Sequence, residues 1–343
     1  MYQSALKTLC DRCGTTRTHA VLVLALSLLV AVIGFAPAGA QGNPECEGEP
    51  ATIIGTRGDD TLRGTPGPDV IVGLDGDDMI FGLQGGDMIC GNRGVDAVRG
   101  GTGSDDVNGG SEDDLLVAGD VGDDRLLGGE GWDTLEGGDG DDVVAGGEGT
   151  GDVAIYANAS RPVTADLTSD TASGQGSDSI PGIEGVEGSA FSDVLLGDGA
   201  FNNLFGLDGD DQITGGAGGG NLSGGAGADI INGGPDGDSL FGDEGDDSLF
   251  GNGSGEQSDD FFGGLGDDEQ WGSDGQDVFW SSSSECCGEP QSAGADSIHA
   301  FGDPERPDVI RVDDGVGDDF VDCGADGGSA TADVGDTLTN CEG

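Results

Sequence analysis

The sequence is poor in basic residues. It has 11 Lys and Arg against 68 Asp and Glu, a formal net charge of −57, and Lys7 is its only lysine. A chain this acidic repels nucleic acid and anionic lipid, which excludes both as partners and favours cations. Aromatic residues make up only 5% of the chain. Because high charge with few aromatics is typical of disordered segments, a regular apolar pattern is needed to predict a fold.

Histidine is almost absent as well. His19 and His299 are the only two, so the H-E-x-x-H motif of zinc metalloproteases cannot form. The G-x-S-x-G motif of serine hydrolases is also missing. Carboxylate pairs such as Asp59-Asp60 recur all along the chain, which argues against one acid–base site. The sequence therefore predicts no enzyme, and His299 is expected to be an ordinary strand or loop residue.

Long apolar runs are missing except for one. It extends from Ala20 to Ala36, follows three basic residues and precedes the small residues 38–40. This order is typical of a cleaved secretory signal peptide, which predicts residues 1–40 as the signal and Gln41 as the new N-terminus. An uncleaved membrane anchor is the alternative, although the run is slightly short for a span of about 20 residues. We expect a secreted, extracellular protein without membrane insertion after cleavage.

Glycine, by contrast, is abundant, with 73 residues arranged largely in a repeat of nine. Units such as GLDGDDMIF, residues 73–81, have glycine at positions one and four, a carboxylate at position six and an aliphatic residue at position eight. The sixth-position carboxylates are the candidate metal ligands: Asp60, Asp69, Asp78, Asp87, Asp96, Asp105, Asp114, Asp124, Asp133 and Asp142 in a first block, and Asp193, Asp211, Asp229, Asp238, Asp247, Asp268 and Asp277 in a second. Asn202 and Gly220 stand at position six elsewhere in the second block, so weak or missing sites are expected there.

Repeats of this length predict a solenoid, in which each unit buries its apolar residue only against its neighbours. Positions seven to nine suit a short strand, so Ile80 is expected to point inward while Met79 and Phe81 point outward. The six preceding residues form a turn. Its glycines permit positive φ and present carbonyl oxygens beside the aspartate. Carboxylate and carbonyl oxygens are the ligands that Ca²⁺ prefers, which predicts multiple calcium ions as cofactors.

The units GLDGDDMIF, GGEGWDTLE and GGDGDDVVA resemble the RTX (repeats-in-toxin, hemolysin-type) calcium-binding nonapeptide GGxGxDxUx, where U is a large apolar residue. The resemblance implies an all-β fold, a parallel β-roll or calcium-stapled right-handed solenoid with two units in each coil. Calcium would lie between coils stacked on one edge. Asp60, Asp78, Asp96 and Asp114 would then line one edge of the roll, and Asp69, Asp87 and Asp105 the other.

Two repeat blocks joined by a non-repeat strand segment give the predicted organisation. The joining segment has fewer glycines and more alternating apolar residues, as strands do, so it is expected to continue the stack. The predicted divisions are a signal peptide at 1–40, an N-terminal cap at 41–54, the first block at 55–151, the joining segment at 152–187, the second block at 188–280 and a C-terminal cap at 281–343.

The carboxylates predict that folding depends on calcium. Neighbouring strands of a parallel sheet lie about 4.8 Å apart, and two charges at that distance repel by roughly 3 to 4 kcal/mol at an effective dielectric near 20. The roll is therefore not expected to close without cations, so calcium binding and folding form one coupled equilibrium. A glycine-rich disordered polyanion is the alternative, but the aliphatic residue in each unit counts against it.

The two ends resemble those of secreted RTX-type calcium-binding proteins of actinobacteria. The N-terminal likeness, over CEGEPATIIGTRGDD, implies a disulfide between Cys46 and Cys90, and the likeness of the tail implies one between Cys323 and Cys341. Cys286 and Cys287 are adjacent and leave three alternatives open: a strained bridge to each other, a link to another chain, or no pairing. Export by an N-terminal signal differs from RTX toxins, which puts a toxin function in doubt.

Partners other than calcium are less well defined by the sequence. A surface adhesin or matrix protein would need a regular outward face, and positions seven and nine vary too much for a single array to be predicted. Met79, Phe81 and Met88 are candidates for a small apolar patch that mediates self-association; simple tolerated surface is the alternative. An RTX-type hydrolase is the remaining alternative and lacks a catalytic motif.

Overall fold

The computed structural model describes residues 44–253, 257–280, 295–300, 309–312, 319–324, 329–332 and 336–341. The predicted signal peptide and the Cys286-Cys287 pair lie outside these residues. Within them the secondary structure consists of strands and turns without a helix. The described residues accordingly contain no helical segment long and apolar enough to span a membrane.

The strands are short and follow one another at the spacing of the repeat. In chain order they are β1 (Glu45–Cys46), β2 (Glu49–Pro50), β3 (Ile53–Ile54), β4 (Thr61–Arg63), β5 (Val70–Asp75), β6 (Met79–Gln84), β7 (Met88–Arg93), β8 (Ala97–Thr102), β9 (Asp106–Ser111), β10 (Leu115–Val121), β11 (Arg125–Gly131), β12 (Thr134–Glu136), β13 (Val143–Gly149), β14 (Val153–Ile155), β15 (Thr164–Asp166), β16 (Thr171–Ser173), β17 (Ser177–Ser179), β18 (Gly185–Glu187), β19 (Val194–Leu196), β20 (Asn202–Asp208), β21 (Gln212–Thr214), β22 (Gly220–Ala226), β23 (Ile230–Asn232), β24 (Ser239–Glu244), β25 (Ser248–Phe250), β26 (Asp260–Leu265), β27 (Glu269–Trp271), β28 (Val278–Trp280), β29 (Ser297–His299), β30 (Val309–Val312), β31 (Phe320–Asp322), β32 (Ser329–Ala332) and β33 (Thr337–Thr339).

Successive strands alternate between two sheets. The even-numbered strands from β4 to β32, apart from β16, form a 14-stranded parallel sheet, called the even sheet. The odd-numbered strands from β3 to β33, together with β16, form the other, called the odd sheet. Leu62 pairs with Ile80 and Ile80 pairs with Val98, so two nine-residue units make one coil. The chain is a parallel β-solenoid of about 14 coils, which confirms the predicted β-roll.

The eighth residue of each unit forms the core. Ile80 on β6 is fully buried, whereas its neighbour Met79 is 48% exposed, as strand alternation requires. The apolar residues at this position form one continuous cluster between the sheets, with Leu62 only partly buried at its start. Gln270 is a polar exception that is nevertheless fully buried. In the last coils Phe261 and Phe279 take over this position, and their rings stack at 4.6 Å. Each unit therefore contributes one core side chain, and only stacking encloses it.

The joining segment continues both sheets with one irregularity. Strands β14 and β18 pair in parallel within the even sheet. In the odd sheet, β16 lies antiparallel to both β15 and β17. The remaining pairings of these sheets are parallel. The strands of this segment keep the two repeat blocks in one stack, while the predicted division into six segments stays a prediction.

Both predicted disulfides are present, joining Cys46 to Cys90 and Cys323 to Cys341. Cys46 belongs to the antiparallel hairpin of β1 and β2, and its side chain is buried against Ala51 and Val72. The hairpin thus packs against β5 and β7 of the odd sheet. A bridge of this loop length stabilises the native state by roughly 2 to 4 kcal/mol.

The prediction that Met79, Phe81 and Met88 form one apolar patch was wrong. Met79 and Phe81 lie on β6 of the even sheet, but Met88 lies on β7 of the odd sheet and packs against the cluster around Cys46. Consecutive units alternate between the sheets, so side chains of adjacent units face opposite sides of the roll.

Aromatic side chains form two outward stacks in the last coils, which the sequence analysis did not expect. On the even sheet the ring centroids of Phe241 and Phe262 lie 4.7 Å apart, and Trp280 follows at 6.0 Å. On the odd sheet Trp271 stacks on His299 at 3.9 Å. Position nine looks irregular along the sequence because consecutive units lie in different sheets. The residues that stack on each other come from every second unit. His299 lies in strand β29, one of the two placements that the sequence predicted.

Candidate metal centre

Sixth-position aspartates lie at the ends of the turns, directly before each strand, and join one coil to the next. The backbone N–H of Asp60 donates to Oδ1 of Asp78 at 2.8 Å, and the N–H of Asp78 donates to Oδ1 of Asp96 at 2.9 Å. The same bond of 2.7 to 3.1 Å recurs along both edges. We call these two rows the carboxylate ladders.

All seventeen predicted ligands lie in the ladders. The even edge, which leads into the even sheet, contains Asp60, Asp78, Asp96, Asp114, Asp133, Asp238 and Asp277. The odd edge contains Asp69, Asp87, Asp105, Asp124, Asp142, Asp193, Asp211, Asp229, Asp247 and Asp268. The structure therefore brings Asp78 and Asp96 together on one edge and Asp69 and Asp87 on the other, as expected. Their role as metal ligands stays a prediction.

The second carboxylate oxygen, Oδ2, has a different environment. In thirteen ladder aspartates it is buried and accepts no hydrogen bond from the described residues: Asp78, Asp87, Asp96, Asp105, Asp114, Asp133, Asp142, Asp152, Asp211, Asp229, Asp238, Asp247 and Asp268. A buried anionic oxygen without a partner is costly. Such an oxygen, repeated at one place in the fold, suits the coordination of a cation.

Glycine at position one makes room beside this oxygen. A Cβ added to Gly82 would lie 2.5 Å from Asp87 Oδ2 and 2.5 Å from the Gly100 carbonyl oxygen of the next coil. A Cβ on Gly73 would overlap Asp78 Oδ2 in the same way and approach the carbonyl of Gly91. Carboxylate and carbonyl oxygens thus converge on a space that only a glycine leaves open.

This set of donors fits calcium. Ca²⁺ takes six to eight oxygen ligands with flexible geometry, including backbone carbonyls. In the part of the chain that the structure describes, no group of three or more His, Cys, Asp or Glu side chains is placed to hold a metal ion. Backbone carbonyls from adjacent turns would therefore supply most ligands, and each ladder aspartate would supply charge.

The electrostatics of the ladders favour a cation. Burial raises the pKa of Asp114 and of Asp268 to about 8 each, with neighbouring carboxylates raising it further and the backbone N–H bond lowering it. The pKa of Asp105 is raised to about 7 for the same reasons. Without a cation these carboxylates are costly to ionise at neutral pH. A bound cation would remove that cost.

A second row of carboxylates lies at position five and is more exposed. The N–H of Asp77 donates to Oδ1 of Asp59 at 3.1 Å, and the N–H of Val95 donates to Oδ1 of Asp77 at 3.0 Å. Here the acceptor belongs to the preceding coil, opposite to the direction in the carboxylate ladders. The recurring Asp-Asp pairs of the sequence therefore serve two different rows.

Five ladder aspartates were missed by the sequence analysis: Asp152, Asp178, Asp259, Asp296 and Asp319. Insertions displace them from the nine-residue spacing. Apart from Asp178, which lies within β17, each still precedes a strand whose middle residue is apolar and buried, as Asp296 precedes Ser297-Ile298-His299. That local pattern, searched for without fixed spacing, would have found them.

Several positions depart from the common arrangement. Asn202 accepts the N–H of Asp198 through Oδ1 and donates through Nδ2 to the carbonyl of Glu184. Gly220 brings no side chain. The Oδ2 of four predicted ligands also accepts hydrogen bonds from the chain itself: Asp60, Asp69, Asp193 and Asp277.

Substituting Gly206 by alanine is expected to weaken calcium binding at one turn by about tenfold or more. The new methyl group would overlap Asp211 Oδ2 and lie 2.5 Å from the Gly224 carbonyl oxygen. Calorimetric titration with calcium measures the effect. Gly199→Ala is the matched control, since a Cβ there meets nothing within 4 Å. Equal affinities for the two variants would contradict the location of the site.

Comparison with known proteins agrees with this geometry. The family model described as RTX calcium-binding nonapeptide repeat (4 copies) matches residues 54–89, 91–121, 118–153, 187–222 and 223–255. The matches cover nearly all of the first repeat block and residues 187–255 of the second, and they leave out most of the joining segment. No curated protein matches the chain. The nonapeptide pattern, the β-roll and the matched model together identify the chain as a member of the RTX calcium-binding nonapeptide-repeat family.

Proposed function

We propose that this is a secreted, non-catalytic protein that binds multiple calcium ions and folds as it binds them. The observation that carries the proposal is the ladder of buried Oδ2 atoms without hydrogen-bond donors, each beside a position-one glycine. Calcium supplies positive charge to these oxygens and links adjacent coils.

Calcium binding is coupled to folding because the ligand oxygens of one site belong to different coils. Asp87 Oδ2 and the Gly100 carbonyl belong to different coils, and they converge only when the coils are stacked. The unfolded chain therefore offers no preformed site, and the free energy of binding contributes directly to folding. The net charge of −57 opposes compaction until cations are bound.

An extracellular location is supported by two features. The Cys46–Cys90 and Cys323–Cys341 disulfides fit an oxidising compartment. The N-terminal segment has the order of a cleaved signal peptide. Modest affinity, on the order of 10⁻⁴ to 10⁻³ M per site, is typical of extracellular calcium modules and would keep the chain unfolded before export.

A non-catalytic role is supported by the sequence. After residue 40 the single histidine is His299, whose ring lies between Trp271 and Phe320 and whose Nε2 lies 3.2 Å from Ser297 Oγ. The recurring carboxylates have a structural explanation in the ladders. The aromatic stacks of the last coils stabilise neighbouring strands, and we propose no adhesin partner for them.

Expression of the full chain with its own N-terminus in a secreting host tests the proposal. The protein is expected in the medium, beginning at Gln41, and equilibrium dialysis should detect multiple bound calcium ions per chain. Magnesium serves as the control, because it prefers a small octahedral site and gives up its waters reluctantly. Failure to bind calcium at millimolar concentration, or equal binding of magnesium, would overturn the calcium function. Retention in the cell membrane would overturn secretion alone.

A further inference from the structure

The turns of the roll have two backbone conformations, which differ at position two of the unit. In most turns this residue has a positive φ, even where it carries a side chain: φ is 95° at Leu74, 92° at Leu83 and 85° at Leu207. Leucine rarely adopts this region, because its Cβ crowds the backbone. Such strain persists where the surroundings require it and is frequent at binding sites.

In the other conformation φ at position two is not positive. Before four ladder aspartates this residue is serine or threonine, namely Thr56, Thr65, Ser189 and Ser273, whereas Asp198 takes its place before Asn202. The N–H of the serine or threonine then donates to Oδ2 of the aspartate four residues later. The distances are 2.6 Å from Thr65 to Asp69 and 2.7 Å from Ser273 to Asp277. The Thr65 hydroxyl adds a second bond to Asp69 Oδ2 at 2.9 Å.

The two conformations divide most of the ladder aspartates. Asp259 is an exception, because φ is 58° at Asn252 and yet Asp259 Oδ2 accepts the Ser273 hydroxyl at 3.1 Å. Each of the thirteen Oδ2 atoms without a donor follows a position-two residue with positive φ: Leu74, Leu83, Asn92, Gly101, Gly110, Gly129, Gly138, Gly147, Leu207, Gly225, Gly234, Asp243 and Gly264. Each of the four serine or threonine turns has a bonded Oδ2. We call the first kind open turns and the second closed turns.

We propose that position two selects, turn by turn, between binding calcium and replacing it. In a closed turn, N–H and hydroxyl donors take the place of the cation at the carboxylate. In an open turn the N–H at position two does not donate to Oδ2 of the aspartate, so that oxygen can bind calcium. This inference rests on the proposed calcium function and deepens it, because it assigns Asp60, Asp69, Asp193 and Asp277 to turns without calcium although they match the repeat at position six.

The closed turns occur where calcium ladders would end. Thr56 and Thr65 belong to the first two units of the first block, Ser189 to the first unit of the second block and Ser273 to its last unit. Within the joining segment, the Tyr156 hydroxyl similarly donates to Asp178 Oδ2 at 3.1 Å. At the end of a ladder, a cation would have a turn of the nine-residue repeat on one side only. There, N–H and hydroxyl groups of the chain donate to the carboxylate in place of calcium. The ends of the repeat blocks therefore fold without bound calcium.

Crystals of the full chain grown with calcium, with the ions located by anomalous scattering, test the inference site by site. Calcium is expected beside Asp211, in an open turn, and not beside Asp193, in the closed turn of the preceding coil. Ions at both positions would overturn the inference alone. Absence of calcium throughout the roll would overturn the proposed function and this inference with it.

Exchange of the position-two residue provides a second test in solution. Leu207→Ser is expected to close its turn and to lower the calcium bound in equilibrium dialysis by about one ion per chain. Leu207→Gly, which keeps positive φ without strain, should bind as many ions as the parent. Circular dichroism at saturating calcium verifies that both variants fold. An unchanged number of ions in Leu207→Ser would overturn the inference.

Discussion

Removal of calcium is expected to unfold the roll. In excess chelator the full chain should give the far-ultraviolet circular dichroism of a coil, and calcium addition should produce a steep transition to β-structure, whereas magnesium should not. Each site with calcium at a hundred times its dissociation constant stabilises the native state by about 2.7 kcal/mol. With three to five such sites, calcium contributes about 8 to 14 kcal/mol, which is comparable to the usual total stability of a domain, about 5 to 15 kcal/mol.

A pair of ladder substitutions tests whether this transition arises from the assigned carboxylates. Asp78→Ala with Asp96→Ala removes two successive carboxylates of the even edge, and the calcium concentration at the midpoint should rise by tenfold or more, about 1.4 kcal/mol or above. Glu130→Ala with Glu148→Ala is the matched control. These glutamates also occupy paired positions on adjacent coils, but they are exposed.

Two results would contradict calcium-driven folding. If full β-structure were already present in chelator, the disulfides and the aliphatic core would suffice, and calcium would be an accessory. If the ladder pair and the glutamate pair shifted the midpoint equally, net charge alone would explain the calcium effect.

Acid is expected to restore the calcium-free roll. Burial raises the pKa of Asp114 to about 8 and that of Asp211 to about 7 from an ordinary value of 3.8. The folded state therefore binds more protons than the unfolded state between about pH 4 and 8, so its stability without calcium increases as the pH falls through this range. Protonation also decreases the repulsion along each ladder.

The calcium-loaded roll should respond in the opposite direction. Calcium needs ionised carboxylates, so protons compete with it and acid weakens binding. In chelator, far-ultraviolet circular dichroism should gain β-structure as the pH falls from about 8 to 5, whereas in saturating calcium the urea unfolding midpoint should fall over the same range. Stability that changed in the same direction in both conditions would contradict the role of the ladders.

Asp114→Asn separates, at one site, the effect of protonation on the calcium-free roll from its effect on calcium binding. The amide resembles the protonated acid, so the variant should stabilise the calcium-free roll at neutral pH and weaken calcium binding. Asp113→Asn is the control, since Asp113 belongs to the exposed position-five row, where its Oδ1 accepts the N–H of Trp132. If both variants behaved alike, the buried position of Asp114 would be irrelevant.

Much of the fold follows from the repeat, because its period matches half a coil of the roll. The regular spacing placed Ile80 in the core and Met79 outside, the RTX resemblance placed Asp78 beside Asp96, and the structure agrees at each of these positions. Prediction failed where the spacing breaks. Asp259 and Asp296 were missed because insertions move them out of the nine-residue count, although parallel pairing returns them to the ladders.

The sequence by itself determined the solenoid, its aliphatic core and its acidic edges, since a short-range period dictates how every second unit stacks on the last. Tertiary structure alone decided which carboxylate oxygens are left without donors. Asp193 and Asp211 look equivalent in the sequence, yet the N–H of Ser189 reaches the first, while the positive φ at Leu207 leaves Oδ2 of the second without a donor. Hydrogen-bond satisfaction depends on backbone direction in three dimensions, which a one-dimensional spacing does not specify.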